Sequence, residues 1–428
     1  MKTTTELILP NILLTCLTTE KFKTGSLSVN LLTPLKRETA SHNALIPYVL
    51  NRGTATLPDM SDISARLDSL YGARLSPIVR KKGDVQVIGF VSDFADDKFT
   101  PDNSKNLEDV CTLMGEMLLL PSTHGGLFRR VYVDSEKEKL LEKIGSRIND
   151  KRAYSVQRLA ELMCSMEDYS VYRLGSELEA ESISSRSLTH SYHDLLASAP
   201  VVIFYCGSAE PARVKKAVKD AFSPIPRSNL ELNIGTEIRL NTLEEQPRYF
   251  EDEMDVTQGK LALGFRLGEC MENPDLAKIK VFNAVYGGAV TSKLFTNVRE
   301  KLSLAYFASS NVDIHKGIMT VSSGIDFNKY DAALSETFVQ LEAIKKGEVS
   351  PEELSAAKRS VAGAYRTIED NPPSLENFYL NRSIIGPECT PLEIADLAEA
   401  VTLDDVVSIA KGVECDAIYF LRGIREDG

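Results

Sequence analysis

The residue types that could carry chemistry are few and scattered. The histidines are His42, His124, His190, His193 and His315. No two of them stand four apart, the spacing that sets two metal ligands on one helix face. His190 and His193 come nearest, three apart, in Ser187-Leu188-Thr189-His190-Ser191-Tyr192-His193, which reads as a polar loop leading into a helix. Exposed polar histidines are common in such settings, so a metal site there ranks behind an ordinary surface role. The cysteines Cys16, Cys111, Cys164, Cys206, Cys270, Cys389 and Cys415 form no Cys-x-x-Cys pair, and most lie in apolar runs such as Val201 to Cys206. That pattern points to buried free thiols and a reducing compartment. There is no Gly-x-Ser-x-Gly elbow and no phosphate-cradling loop, and the Gly287-Gly288 pair has no lysine at the required spacing. On these residues alone the chain has no self-sufficient active site.

The elements that would hold any site come from a chain of 428 residues, 43% hydrophobic and 26% charged. Such a composition is that of a globular protein of two large or three small domains. A net charge of -12 argues against a nucleic-acid partner, which needs a basic surface. No run of apolar residues is long enough for a membrane span. The first twenty residues carry Glu6, Pro10 and Asn11 and lack a small-residue cleavage site, so no signal peptide is expected and the protein is read as cytoplasmic.

The chain also repeats itself. Tyr71-Gly72-Ala73-Arg74-Leu75 and the β-like run to Ser92-Asp93-Phe94 recur, about 233 residues on, as Leu304-Ala305-Tyr306 and the run to Ile325-Asp326-Phe327-Asn328-Lys329-Tyr330. A helical stretch opening at Val133-Asp134-Ser135-Glu136 is matched by one opening at Ser350-Pro351-Glu352-Glu353, a capping box with proline at the first helical position. Each half closes on an apolar strand and a glycine, Val201 to Gly207 and Ala417 to Gly423. His315-Lys316-Gly317 reads as a hairpin turn between two β-like runs. The expected fold class is α+β, two homologous domains from an internal duplication, each a mainly antiparallel sheet packed with helices. The domains are expected at 1–222 and 253–428. The proline-bearing segment 223–252 would link them and include some extended structure entering the second domain.

Over nearly its whole length the chain resembles the pitrilysin/insulinase family of zinc metallopeptidases. Ser41 to Thr54 is similar to the segment that holds the family's inverted His-x-x-Glu-His motif. Counting back from Gly53-Thr54, the two histidine positions are Ala44 and Tyr48 and the glutamate position is Pro47. Alanine has no donor atom, tyrosine is a poor zinc ligand and proline cannot act as a base. The neighbouring His42 has no glutamate three residues on and no histidine four on. The family's third ligand maps to Glu136 in Val133 to Lys139. One carboxylate cannot hold catalytic zinc, and a first-turn glutamate favouring the positive helix end, worth about 0.3–1 kcal/mol, is the preferred reading. The second half follows the family more closely, from Val285-Tyr286-Gly287-Gly288 through a helix to Arg299 and Tyr306, seven apart. In active members this pair faces the zinc site and binds substrate carbonyl oxygens. A guanidinium and a phenol are both donors suited to a developing oxyanion. The alternative is an arginine capping the helix C-terminus and a tyrosine packing on a strand. Ser303 stands where the family usually has glycine.

The resemblance implies half of an enzyme. Family members occur as two-chain forms that close around a peptide chamber, one chain supplying zinc and base and the other the Arg/Tyr pair. The expectation is a non-catalytic subunit of a heterodimeric zinc peptidase, with no catalytic residue, metal or cofactor of its own. Arg299 and Tyr306 would bind substrate. The partner would be a catalytic chain with an intact His-x-x-Glu-His motif, the substrate a peptide, and a homodimer possible for the isolated chain. The segments Asn43 to Leu50 and Leu67 to Gly72 are similar to a bacterial branch of inactive members named for modification of elongation factor P. A metal-free peptide-binding or structural scaffold with no role in hydrolysis is the alternative function, and a metal site relocated to His190 and His193 is a third.

Overall fold

The computed structural model describes residues 1–101, 104–228, 230–231, 234–386 and 388–424. Besides a two-stranded ribbon of Thr123–His124 with Leu127–Phe128, it has two large sheets, built from β1 (Lys2–Leu9), β2 (Ile12–Thr18), β3 (Thr24–Pro34), β4 (Arg74–Lys82), β5 (Val85–Ala95), β6 (Val201–Gly207), β7 (Arg248–Met254), β8 (Gly259–Arg266), β9 (Ala305–Asp313), β10 (Ile318–Ile325) and β11 (Glu414–Gly423). The helices that matter below are α1 (Ala40–Leu50), α2 (Met60–Ser69), α3 (Arg130–Gly145), α4 (Lys151–Met163), α5 (Ser185–Ser198), α6 (Leu294–Lys301), α7 (Pro351–Ile368) and α8 (Pro372–Ile384).

The duplication is visible in the strand order. One sheet runs β1-β2-β6-β3-β5-β4 and the other β9-β10-β8-β11-β7. In the first, β2 is parallel to β6, and β6–β3, β3–β5 and β5–β4 are antiparallel. In the second, β7 is parallel to β11, and β11–β8, β8–β10 and β10–β9 are antiparallel. The two five-strand series are the same topology, with β1 an addition at one edge of the first. The shared signature around Tyr71 and Ser303 has a backbone counterpart: Tyr71 (φ 59°) and Ser303 (φ 49°) are both left-handed, each turning the chain into the following strand, β4 or β9.

The compact units do not follow chain order. One comprises Met1–Ser146, Val171–Gly235 and Pro372–Gly386; the other comprises Arg147–Ser170, Thr236–Asn371 and Pro387–Gly428. Each half of the chain therefore gives one helix to the other half's sheet, α4 to the second sheet and α8 to the first. The segment expected as linker, 223–252, is divided between the units, and β7 begins inside it at Arg248.

In the first unit β3 is buried on both faces, which its alternation explains. Leu27, Val29 and Leu31 join the core with Ala44, Leu45 and Val49 of α1. Ser28, Asn30 and Leu32 face α8. There Glu376 is buried and accepts from Ser28 Oγ at 3.0 Å, Asn30 Nδ2 at 3.1 Å and Arg80 at 2.6 Å. Leu380 packs with Leu32, Val85 and Val87, and Tyr379 stacks on Phe204.

In the second unit Leu159 and Met163 of α4 pack on Ala262, Ala417, Tyr419 and Leu421. Just beyond α4, Glu167 reaches the fully buried Arg266 of β8 at 2.6 Å and the buried Lys316 at 2.9 Å. Arg266 also meets the buried Asp416 of β11 at 2.9 Å, and Asp416 takes Arg248 at 2.7 Å. His315-Lys316-Gly317 does turn the chain between β9 and β10, with Gly317 at φ 65°, but His315 and Lys316 are buried rather than solvent-facing. Both exchanged helices are thus tied to the receiving sheet by a carboxylate that meets a sheet or turn cation, an arrangement that is costly to break from either side.

Candidate functional site

The residues singled out by sequence fall in two places, one in each unit. In the first unit Ala44, Pro47 and Tyr48 all lie on α1. Ala44 and Pro47 are buried, and Tyr48 lies under the Lys143 ammonium, 4.0 Å from its ring centroid. Glu136 is buried on α3, where it accepts from Arg52 at 3.2 Å and Lys139 at 2.7 Å. Arg52 in turn lies 5.1 Å above the Tyr132 ring, whose hydroxyl donates to the Pro58 carbonyl at 3.1 Å. The expectation that Glu136 serves the helix dipole from the first turn is corrected here. Helix α3 starts at Arg130, so Glu136 lies in the second turn, and two cations claim its carboxylate instead.

Zinc does not fit this arrangement. The metal needs three unprotonated donors, whereas α1 offers none at Ala44 or Pro47 and a phenol under an ammonium at Tyr48. The one carboxylate is already neutralised by two cations. Among the described residues no three His, Cys, Asp or Glu side chains are grouped to hold a metal. His190 and His193 belong to α5, which starts at Ser185, so the expected polar loop is helix. Both are exposed; His190 Nε2 lies 3.3 Å from Asp194 and the His193 ring packs on Tyr192. His42 sits between Glu179 and Ser187, 3.3 Å from each.

In the second unit a rigid frame presents Arg299 and Tyr306. Ahead of α6 the chain winds through a wide turn, Ala284–Gly288. A Cβ on Gly287 would stand 2.6 Å from the Ser310 nitrogen of β9, so only glycine allows this approach. The Asn283 side chain accepts from Ser310 Oγ at 2.7 Å across the same contact. Lys293, buried just before α6, pairs with Glu353 at 3.1 Å, and Glu353 is the capping-box residue of α7. Asn297 donates to Gln340 at 2.6 Å, and Leu294 and Val298 are buried. These ties leave Arg299 on the outer face of α6. Its guanidinium lies 4.6 Å over the Phe295 ring, and its only ion-pair neighbour among the described residues is Glu300 at 3.5 Å.

The turn after α6 is closed by the Leu304 amide donating to the Val298 carbonyl at 2.9 Å, with Ser303 left-handed. Tyr306 is the extra residue of a β-bulge: Ala305 pairs with Ile325 and Phe307 with Gly324, leaving Tyr306 without a register partner. Bulges re-aim side chains, and Tyr306 is 60% exposed. Its hydroxyl donates to Asp326 Oδ1 at 2.9 Å, which holds the phenol above its ordinary pKa. Lys329, 3.0 Å from Asp326, and the Tyr306 hydroxyl hold the Asp326 carboxyl below the usual range. With its proton on Asp326, Tyr306 keeps lone pairs free to accept, while Arg299 keeps free donors. A peptide unit offers the matching N–H and C=O.

Sequence reasoning named Arg299, Tyr306 and Glu136 but missed their partners. Arg52 stands two residues past α1, and Asp326 and Lys329 lie in the run used only as a repeat signature. Their charge was legible; which carboxylate each would meet was not.

A family model described as the peptidase M16 inactive domain matches residues 182–361. A Bacillus subtilis protein named probable inactive metalloprotease YmfF is 32% identical over 407 residues, covering 95% of this chain and 94% of its own. The chain belongs to the M16 peptidase family. It is an M16 homologue of the inactive kind, lacking the inverted zinc motif. A solved structure of a conserved protein from Enterococcus faecalis V583 matches with a TM-score of 0.90 at 28% identity, all of both chains covered. A peptidase M16 inactive domain from Pseudomonas fluorescens matches at 0.80 over 99% of each chain; at 15% identity it speaks for the fold alone. Among the described residues no helix is long and apolar enough to cross a membrane.

Proposed function

We propose that this M16 homologue is the non-catalytic subunit of a two-chain zinc peptidase and lends Arg299 and Tyr306 to peptide binding. The partner supplies the metal and the base from an intact His-x-x-Glu-His motif. What carries the reading is the contrast at Arg299: its donors are open on a helix pinned by Gly287, Lys293 and Asn297, while the metal position is filled with paired charge. A cytoplasmic location is part of the same proposal, supported by cysteines that are all free.

The scaffold reading draws on one observation, the commitment of the Tyr306 proton to Asp326. Turnover by the assembled pair separates the two. Arg299→Ala lowers the partner's peptide cleavage by about 10²–10³-fold, the usual loss for one oxyanion donor, with the dimer intact by gel filtration. Unchanged turnover assigns Arg299 to structure and favours the scaffold.

A further inference from the structure

One cluster of side chains in the second unit is left unused by this reading. On β8, Lys260 pairs in register with Gly324 of β10, and Gly324 pairs with Phe307 of β9. The three residues therefore form a row across three strands, and directly paired residues share a sheet face. Because Gly324 has no side chain, the Phe307 ring lies over it; a Cβ there would stand 2.6 Å from the ring. The Lys260 ammonium lies 5.9 Å from the ring centroid. From the first turn of α4, the Arg152 guanidinium covers the same ring at 4.1 Å and donates to Ser309 Oγ at 3.0 Å.

Two cations from different elements thus converge on one aromatic ring. Among the described residues, no carboxylate lies within ion-pair distance of either; the hydrogen-bond partner of Lys260 is the neutral Gln258. The nearest acid in sequence to Arg152, Asp150, is engaged as the N-cap of α4, accepting from Ala153. Burial, and then the charge of Arg152, hold the Lys260 ammonium below its ordinary pKa. Ser309 accepts from Arg152 and so keeps its own O–H to donate. Among the described residues, the remaining guanidinium N–H groups, the ammonium N–H groups not given to Gln258 and this hydroxyl are donors without an acceptor, arranged around an apolar floor. Elsewhere in the same unit buried cations meet carboxylates, as Arg266 meets Asp416 and Lys293 meets Glu353.

We propose that Arg152, Lys260 and Ser309, set around Phe307, form a subsite for a carboxylate of the bound peptide. Phe307 and Ser309 stand on the strand that carries Tyr306, so the subsite selects acidic peptides for the surface already assigned to peptide binding. It deepens that reading and rests on it. An acidic side chain and a free C-terminus present the same group, and the test separates them.

The full-length chain is titrated by fluorescence anisotropy with three labelled, unstructured decapeptides. The first two have amidated C-termini and differ only in carrying three Glu or three Gln. The third is the Gln peptide with a free C-terminus. Wild type is expected to bind the Glu peptide at least about tenfold more tightly than its amidated Gln counterpart, one charge-assisted contact's worth. If only the free C-terminus gains, the carboxylate is terminal. Arg152→Gln combined with Lys260→Gln reduces whichever preference is seen to below about threefold, at unchanged thermal stability. Gly324→Ala, which displaces the Phe307 ring, does the same while leaving both cations in place. Equal affinity of wild type for all three peptides, absence of binding included, overturns the subsite, and so does a preference that survives the double substitution. Arg299→Ala weakens all peptides alike and keeps their ratio. If it weakens none while the acidic preference persists, the role of Arg299 fails and the subsite stands.

Discussion

The two regions marked out by their likeness to the zinc peptidases handle charge in opposite ways. At the metal position of the first unit, the buried carboxylate Glu136 has two cations, and Tyr48 lies beneath a third. On the bulged strand and neighbouring helix of the second, the Arg299 guanidinium has, among the described residues, only the adjacent Glu300 as an ion-pair neighbour, and Tyr306 is mostly exposed. The first region satisfies its charge internally, which makes it stable and inert. The second holds its backbone with buried ties, gives the Tyr306 proton to Asp326, and leaves the Arg299 donors and the Tyr306 lone pairs for something else to satisfy. In an unoccupied binding surface that division is expected, because preorganised donors are useful only if their lone partners come from the ligand.

The sharpest way to break this comparison is to rebuild the metal site. Ala44→His with Tyr48→His supplies two ligands beside Glu136, yet no zinc should bind at equimolar metal by calorimetry, because Arg52 and Lys139 hold the carboxylate. Adding Arg52→Ala should restore binding. Zinc uptake by the two-histidine variant alone would show that the cations do not close the site.

A smaller effect is expected from Glu136→Ala. It leaves Arg52 and Lys139 without their anion and costs about 1–2 kcal/mol in denaturant unfolding, the low end because both cations are partly solvated. Tyr306→Phe, at an exposed bulge, should change stability by less than about 0.5 kcal/mol. Equal costs at the two sites would remove the contrast between them.

Ser303→Gly sharpens the second region. The left-handed backbone at φ 49° disfavours serine, and glycine there should raise stability by about 0.5–1 kcal/mol, net of its greater freedom in the unfolded chain. A loss of stability would mean that the serine side chain, rather than the turn, is what holds the loop.

Acid should act on the second unit's clamp. Burial alone would raise the Glu167 carboxyl, but bonds from Arg266 and Lys316 hold it below its ordinary 4.5. A carboxylate depressed in the folded state stabilises above its unfolded pKa and loses that contribution as pH falls through the folded value. Unfolding monitored against pH should therefore show stability declining below about pH 4.5, and Glu167→Gln should flatten that decline. An unchanged profile in the variant would place the acid sensitivity elsewhere.

Much of the fold was legible from periodicity and repeat order. The matching runs around Tyr71 and Leu304 and the closing strands reappear in one shared sheet topology, and the capping box at Ser350 opens α7. The exchange of α4 and α8 was not, because an amphipathic helix reads the same whichever sheet covers its apolar face. The buried Glu376 that pins α8 meets Ser28 and Arg80, which stand about 300–350 residues away, beyond any local pattern. The candidate site divided similarly. Loss of two zinc ligands and the base could be counted off the chain at Ala44, Tyr48 and Pro47. The starting residue of α3, which moved Glu136 to the second turn, depended on a helix boundary, the least certain feature to read from sequence. The helix over His190 and His193 was missed because serine and histidine are weak helix formers, and the Ser184 cap preceding them decided the matter. The bulge at Tyr306 has no residue signature of its own.

Native co-purification from the source cell, read by mass spectrometry and followed by a peptide-cleavage assay, tests the central claim most directly. The account predicts a stoichiometric partner of similar size with an intact His-x-x-Glu-His motif, whose cleavage requires this chain. Recovery of the chain alone, as a homodimer, or with a partner that cleaves equally well without it would contradict the account and leave Arg299 and Tyr306 as remnants.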